Sequence, residues 1–342
     1  MEERKTILDV RHLSVNFQTD QGTIRAVRDV SFYVKEGEVL GLVGESGSGK
    51  SASMYAVMGL LPPNARITGG DMIFDGESIA QKDFANAKAY EKKMRGVHGN
   101  TMTMVFQDPM TFLNPVLTVG KQLREVIFNH NPGIGKAEAN RRVVELLQRV
   151  GIPDPESRLR QYPFTFSGGM RQRIVLAIAL ANSPKLIIAD EPTTALDVTT
   201  QAQVLELIQE MSRETHAAVI MVTHDLSAVA NLCDRIGIMY GGKIVEMGSA
   251  HEIFYAPEHP YTEGLLKCAN YLLNDRMELT PIPGSPPDML NPPAGCPFVD
   301  RCDRAMHICT AKMPQRSVSS DTHSSSCWLH EKARREVAKR HG

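Results

Sequence analysis

Gly44-Glu45-Ser46-Gly47-Ser48-Gly49-Lys50-Ser51 fits the spacing G-x-x-x-x-G-K-S/T at every fixed position. The apolar run Val39-Leu40-Gly41-Leu42-Val43 before it reads as a buried parallel strand, and Lys50 to about Leu60 reads as a helix. Strand, loop and helix therefore stand in the order that a phosphate loop needs. Gly44, Gly47 and Gly49 permit backbone angles and close approaches that a Cβ would block. The N–H groups along Glu45, Ser46, Gly47, Ser48 and Gly49 can then converge on an anion at a helix start, where the helix dipole favours negative charge. In such a loop Lys50 reaches the β- and γ-phosphates and the Ser51 hydroxyl ligates Mg2+. A chance glycine-rich turn is the competing reading, and the flanking strand and helix count against it. The stretch predicts a nucleoside-triphosphate site.

The 342 residues suggest about two domains, and 42% hydrophobic with 23% charged residues is ordinary for a globular chain. A formal net charge of -1 leaves no electrostatic footprint for nucleic acid. No apolar run approaches the ~18 residues of a membrane span, and Met1-Glu2-Glu3-Arg4-Lys5 lacks the apolar core of a signal peptide. The expectation is a chain that folds in the cytosol, its six cysteines outside structural disulfides, with any membrane role supplied through partners.

Outward from the loop, Ile7 to Val34 alternates apolar and polar residues, which predicts two or three antiparallel strands turning at Asp20-Gln21-Gly22. Ile67 to Gly76 predicts a strand closed by an Asp-Gly turn, Ala80 to Met94 a helix, and Thr101 to Phe106 a strand ending on Gln107. Val119–His130, Lys136–Val150 and Pro155–Gln161 read as a mostly helical insertion. Gly169–Ala181 and Gln201–Arg213 read as helices, Lys185–Ala189 and Ala217–Val222 as strands, and Ile236–Val245 as a hairpin around Gly241-Gly242. The fold class is α/β: a parallel-sheet core, an antiparallel β-subdomain and an α-helical subdomain. Composition shifts near Leu273, and six prolines between Pro281 and Pro293 exclude regular helix or central strand there. Ser317 to Ser326 reads as a polar loop.

Lys185-Leu186-Ile187-Ile188-Ala189-Asp190-Glu191 brings two carboxylates to a strand end. Beside a phosphate loop, Asp190 belongs to the Mg2+ shell and Glu191 is placed to polarise the attacking water. In isolation the pair would read as an exposed turn or a helix cap. Ser167-Gly168-Gly169-Met170-Arg171-Gln172 then resembles the signature of ATP-binding subunits of ABC transporters, usually L-S-G-G-Q, with Phe166 for Leu and Met170 for Gln.

The resemblance implies a P-loop ATPase of the ABC nucleotide-binding fold that works as a head-to-tail pair. Ser167, Gly168 and Gly169 of one subunit would close on the γ-phosphate held by the loop of the other. It also implies that Gln107 touches Mg2+ and water, that Asp197 in Thr194-Ala195-Leu196-Asp197 crosses the dimer, and that His224 contacts the γ-phosphate and holds Glu191 and water in place. A lone His after a strand is otherwise a satisfied core or turn residue. Phe17 is the candidate to stack on adenine, with a strand-core aromatic as the bland reading and Tyr33 as the fallback.

Three further stretches resemble the dipeptide/oligopeptide importer branch: Phe106 to Pro115, Glu191 to Thr199, and His259-Pro260-Tyr261-Thr262-Glu263-Gly264-Leu265-Leu266. That branch implies an ATPase domain at 1–255 and an extension at 256–342, with the His-Pro-Tyr segment at 259–266, a Pro-rich linker at 281–293 and a cysteine cluster at 296–327. It implies MgATP hydrolysis coupled to peptide uptake, a second ATPase subunit in a heterodimer, two membrane permease subunits, an extracytoplasmic peptide-binding protein, and a place on the cytoplasmic face of the membrane. Nickel or antimicrobial peptide as cargo, or a soluble ABC ATPase of DNA repair or translation, are the alternatives. The absence of sustained heptads between Lys50 and Ser167, and of a second cassette, counts against the soluble ones.

Cys296, Cys302, Cys309 and Cys327 are spaced C-x5-C-x6-C-x17-C in a segment without an obvious core, which suggests a metal staple. The spacing departs from the short pairs typical of zinc, and four thiolates also suit a 4Fe–4S cluster. The resembled extension implies the cluster, with zinc as the alternative and His307 or His323 as substitute ligands. Cys233 and Cys268 read as small core residues in helical stretches.

Overall fold

A computed structural model describes residues 4–106, 112–194, 196–273 and 281–330. Their strands are β1 (Thr6–Thr19), β2 (Gly22–Lys35), β3 (Val39–Val43), β4 (Ala65–Phe74), β5 (Glu77–Ser78) and β6 (Met102–Val105). There follow β7 (Leu186–Asp190), β8 (Ala218–Thr223), β9 (Arg235–Tyr240), β10 (Lys243–Ser249), β11 (Ser317–Val318) and β12 (Ser324–Ser325). Two compact units alternate along the chain: one holds residues 1–8, 34–39 and 73–222, the other 9–33, 40–72 and 223–342.

In the second unit β2, β1 and β4 are neighbours in one sheet, in that order. β1 buries Leu8 and Val10, then Leu13 and Val15, so its alternation slips by one residue at His12, which has φ 53°. β2 slips in the same way between Val27 and Val30, at Asp29 with φ 58°. A left-handed residue inserted in a strand re-aims every side chain after it. The two special residues face each other, His12 Nδ1 lying 2.7 Å from Asp29 Oδ1. The other sheet of this unit runs β3-β9-β10-β12-β11. β3 pairs parallel with β9, whereas β9–β10, β10–β12 and β12–β11 are antiparallel. The β9–β10 turn uses Gly241 and Gly242 at φ 53° and 76°, as a tight hairpin of matching twist requires.

In the first unit β6, β7 and β8 pair parallel, every residue of the three buried except for the chain beyond their ends. Near-continuous apolar runs are what a strand covered on both faces needs. Helices Gly168–Leu180 and Val198–Thr215 accompany this sheet, and Val119–His130, Lys136–Arg149 and Pro155–Arg158 form the helical insertion. The expected helix from Ala80 instead begins at Ala87, because Asn86 caps it by accepting the Ala89 N–H at 3.0 Å. Among the described residues no helix is long and apolar enough to cross a membrane.

The polar segment Ser317–Ser326 is not the loop expected. It supplies β11 and β12, and its side chains end on three carboxylates between Glu246 and Glu258. Ser320 and Thr322 hydroxyls donate to Glu252 at 2.6 and 2.7 Å, Ser325 donates to Glu258 at 2.5 Å, and His323 Nε2 lies 2.8 Å from the buried Glu246. Polar residues can hold a strand in place when the acceptors lie elsewhere in the chain.

Candidate functional site

The phosphate loop leaves β3 and enters the helix Lys50–Met58. A Cβ on Gly44 would stand 2.1 Å from the Met239 carbonyl oxygen, and one on Gly49 would stand 2.4 Å from that of Ala26. Gly47 and Gly49 adopt φ 78° and 101°. Glycine is thus required at Gly44 and Gly49 for space and at Gly47 and Gly49 for backbone angle. Lys50 is 5% exposed and folds back, its Nζ donating to the carbonyls of Gly44 at 2.6 Å and Glu45 at 2.9 Å and lying 3.4 Å from Ser48 Oγ. A single buried cation thus ties the two ends of the loop. The Gly242 N–H donates to the Ser48 carbonyl at 3.1 Å, fixing the loop to the β9–β10 turn.

The carboxylates stand in the first unit. Asp190 ends β7 and lies beside Val222 of β8 in register, and it is 3% exposed. Glu191 follows at φ 46°, its N–H donating to the Val222 carbonyl at 2.8 Å. Its side chain accepts the Thr194 hydroxyl at 3.1 Å. A left-handed non-glycine residue held by a neighbouring strand marks a position fixed by its surroundings. His224 comes directly after β8, and Asp225 then caps a short helical turn by accepting the Ser227 N–H at 2.8 Å.

Ser167 caps the helix Gly168–Leu180, its Oγ accepting the Met170 N–H at 3.3 Å. Ser167 and Gly168 are exposed, while Phe166 before them is buried, which explains an apolar residue there of either shape. A Cβ on Gly169 would stand 2.4 Å from Thr200 Cγ2. Asp197 is held beside that same Thr200, accepting its N–H at 3.0 Å and its hydroxyl at 2.7 Å. These bonds keep the Asp197 carboxyl below its ordinary range. The signature glycines and Asp197 therefore share one exposed face with Val198, which is 83% exposed.

Phe17, at the end of β1, is half-buried. Tyr33, the fallback, carries the Arg235 guanidinium over its ring at 4.2 Å, so its face is taken. Gln107 and the Asp108–Thr111 stretch, like Ala195, lie outside the described residues.

None of the six cysteines forms a disulfide. Cys296, Cys302, Cys309 and Cys327 line one small pocket together with His259. Burial pushes the Cys296 thiol up to about 12 and the Cys327 thiol up to about 11, and raises Cys302 as well. His259 accepts the Tyr261 N–H on Nδ1 at 3.1 Å, and its buried Nε2 has no hydrogen-bond partner among the described residues. The donor chemistry suits an iron–sulfur ligand set. However, among the described residues no group of three or more His, Cys, Asp or Glu is placed to hold a metal ion. The arrangement found therefore supports neither the 4Fe–4S cluster nor zinc. His323 is engaged by Glu246 rather than by the cysteines. Cys233 is buried as expected, but it lies in irregular backbone just after a turn rather than in a helix, its Sγ filling the space over Gly41.

The sequence reading missed Tyr261 and Arg301 as neighbours of the phosphate loop. The Glu45 N–H, expected to converge on an anion, instead donates to Tyr261 Oη at 3.0 Å, and Arg301 grips the Glu45 carboxylate. Tyr261 belongs to the His-Pro-Tyr stretch at 259–266, but nothing local to it or to Arg301 points across the chain to Glu45.

Residues 27–194 match the family described as ABC transporter, and residues 245–309 match the oligopeptide/dipeptide transporter C-terminal region. The chain is 49% identical over 326 residues to the dipeptide transport ATP-binding protein DppD of Bacillus subtilis, covering 95% of each. It is 47% identical to the oligopeptide transport ATP-binding protein OppD of Salmonella typhimurium, covering 92% of this chain and 91% of that one. Among solved structures it resembles the dimeric, ADP- and Pi-bound ATP-binding cassette MJ0796, with TM-score 0.61 and 26% identity over 71% of this chain and 99% of that one. It also resembles cbiO1 of Clostridium perfringens, part of the ABC transporter complex cbiONQ, with TM-score 0.62 and 27% identity over 80% and 97%. The phosphate loop, the strand-end carboxylates and the signature cap thus belong to a chain of the ABC transporter ATPase family, in the branch that carries the oligopeptide/dipeptide transporter C-terminal region.

Proposed function

We propose that this chain is the ATP-hydrolysing subunit of an importer for dipeptides or oligopeptides, acting with a second, related ATPase subunit, two permease subunits and an extracytoplasmic binding protein at the cytoplasmic face of the membrane. The observation that carries the reading is full-length similarity to dipeptide and oligopeptide transport ATP-binding proteins, C-terminal region included. In this reading residues 1–255 form the ATPase domain and 256–342 the extension.

The residues divide the chemistry as follows. The loop Gly44–Ser51 receives the phosphates, Lys50 exchanging its carbonyl partners for the β- and γ-phosphates and Ser51 ligating Mg2+. Asp190 and Gln107 complete the Mg2+ shell. Glu191 takes a proton from the attacking water while His224 holds both in line. Phe17 stacks on the adenine. Ser167, Gly168, Gly169 and Asp197 serve the loop of the partner ATPase, which their shared exposed face supports. A helix start with free N–H groups is suited to a γ-phosphate brought by another chain.

Cys296, Cys302, Cys309 and Cys327 would hold a 4Fe–4S cluster, which supplies a covalent staple and a one-electron centre to a segment with little core of its own. The four thiols line one pocket but do not form a metal-binding group among the described residues, so the proposal rests on their number and chemistry alone. Anaerobically purified protein is expected to contain iron and acid-labile sulfide; their absence removes the cluster.

The functional test is uptake of a labelled dipeptide and of a labelled oligopeptide by cells that lack this chain. Uptake restored by the wild-type chain but not by Lys50→Ala is the expected result. Unchanged uptake of both without the chain would contradict the peptide reading.

A further inference from the structure

Glu45 is the second residue of the phosphate loop, and the C-terminal region holds it from two sides. Its backbone N–H donates to the hydroxyl of Tyr261, a fully buried side chain, at 3.0 Å. Its carboxylate accepts from Arg301 Nη1 at 3.0 and 2.8 Å, where the Arg301 side chain is 6% exposed. Its own carbonyl oxygen meanwhile accepts Lys50 Nζ at 2.9 Å and the Ser48 N–H at 3.2 Å.

Arg301 is itself fixed by the extension. Nε donates to the Pro283 carbonyl at 2.8 Å, Nη2 to Ile282 at 3.2 Å, and Nη1 also to Tyr240 Oη at 3.0 Å. Gly284, at φ 78°, leaves room for it: a Cβ there would stand 3.2 Å from Arg301 Cγ. The rings of Tyr240, Tyr261 and Phe298 pack on one another at 4.5 to 5.3 Å between centroids, so the anchors share one rigid seat. A buried guanidinium with every neighbour fixed loses little freedom on gripping a carboxylate.

We propose that Arg301 and Tyr261 are positioning residues of the ATP site, which set the shape of the phosphate loop through Glu45. The inference rests on assigning Gly44–Ser51 to the phosphates. Residues from the C-terminal region thereby complete the cradle. Binding ATP requires Lys50 to leave the Gly44 and Glu45 carbonyls while the loop keeps its curve. With Glu45 pinned at its N–H and carboxylate, the loop holds that curve without the lysine; without the pins, ATP must order it on binding. The loss then falls on affinity more than on the chemical step.

The test uses the full-length chain and the full importer. Binding of a fluorescent ATP analogue is measured for Arg301→Ala, Arg301→Lys, Glu45→Ala and the double alanine variant, with Lys50→Ala as control. Arg301→Ala and Glu45→Ala should each raise the dissociation constant about tenfold, the loss of one charge-assisted hydrogen bond. The double variant should be no worse than either single one, and Arg301→Lys should recover part of the affinity. In the importer KM for ATP should rise by a similar factor with kcat changed less than about threefold, which a general loss of folded protein would not produce. Glu45→Ala removes a partly exposed side chain, so it reports even if an Arg301 variant fails to fold. Wild-type affinity in Glu45→Ala, additive losses in the double variant, or a fall in kcat alone would overturn the proposal. Unchanged binding in Lys50→Ala would instead overturn the loop assignment itself.

Discussion

The phosphate loop and the signature face both stand at helix N-termini, yet they are finished to different degrees. The loop is closed in on itself. Gly44 and Gly49 touch backbone carbonyls, Lys50 is buried, and Glu45 is held from outside by Tyr261 and Arg301. The signature face is open. Ser167 and Gly168 are exposed, Asp197 satisfies itself on Thr200, and Val198 stands 83% in solvent. A site whose parts are already held by their own chain can bind a ligand alone, whereas an exposed helix start beside a bare valine offers a surface to another chain.

Glu191→Gln should break hydrolysis while sparing both helix termini, with turnover falling about 10²–10⁴-fold, the usual worth of a positioned proton acceptor. ATP hydrolysis and nucleotide retention, measured on the same importer, check this; near wild-type turnover would remove Glu191 from its role.

The closed region should be intolerant of a single methyl group. Gly49→Ala places a Cβ against the Ala26 carbonyl at a left-handed φ, and strain of about 1–3 kcal/mol is expected in thermal or urea unfolding. On the open face a Cβ at Gly169 would meet a single side chain, Thr200, with its Cγ2 at 2.4 Å and its Cβ and Oγ1 at 3.6 Å, and no backbone carbonyl. Gly169→Ala should lose hydrolysis in the assembly through the displaced face, at a smaller cost in stability, about 1 kcal/mol.

The smallest effect concerns the strap Ser317–Ser326. Burial opposes ionisation of Glu252, but hydrogen bonds from Ser320, Thr322 and Ser249 outweigh it and hold its carboxyl at about 2. A depressed carboxyl stabilises the strap above its unfolded range near 4.5, and this support fades as pH falls toward 2. The Glu246 carboxylate raises His323, against the opposing effect of burial. That support is full below about 6.5 and is lost as pH rises through the raised value. Amide exchange over β11 and β12 should therefore be slowest between those limits, and Glu252→Gln should weaken the acid limb without removing it, because Glu258, despite its burial, is also lowered by the Ser319 and Ser325 hydroxyls.

Much of this was legible in the sequence for a physical reason. The loop and the strand–helix order are local, and the apolar runs of β3, β7 and β8 announce buried parallel strands. What stayed hidden depends on partners far along the chain. Ser324 and Ser325 form a strand because Glu246 and Met247 pair with them, and nothing in a serine run predicts that. Arg301 reads as one more surface charge until Glu45 is placed beside it. The cysteines converge on one pocket as their clustering suggests, but their positions do not make a metal site. Sequence gives the donors; only the distances give the ion.

The closed loop should bind ATP by itself, and the open face should serve another chain. Gly168→Asp tests this directly, since it adds a carboxylate to the exposed start of the signature helix without touching the loop. ATP affinity of the isolated chain and ATP turnover of the assembled importer are measured together. Affinity in isolation should stay at the wild-type value, and turnover in the assembly should fall by at least about 10²-fold. Lost affinity in the isolated chain, or turnover retained in the assembly, would contradict this expectation.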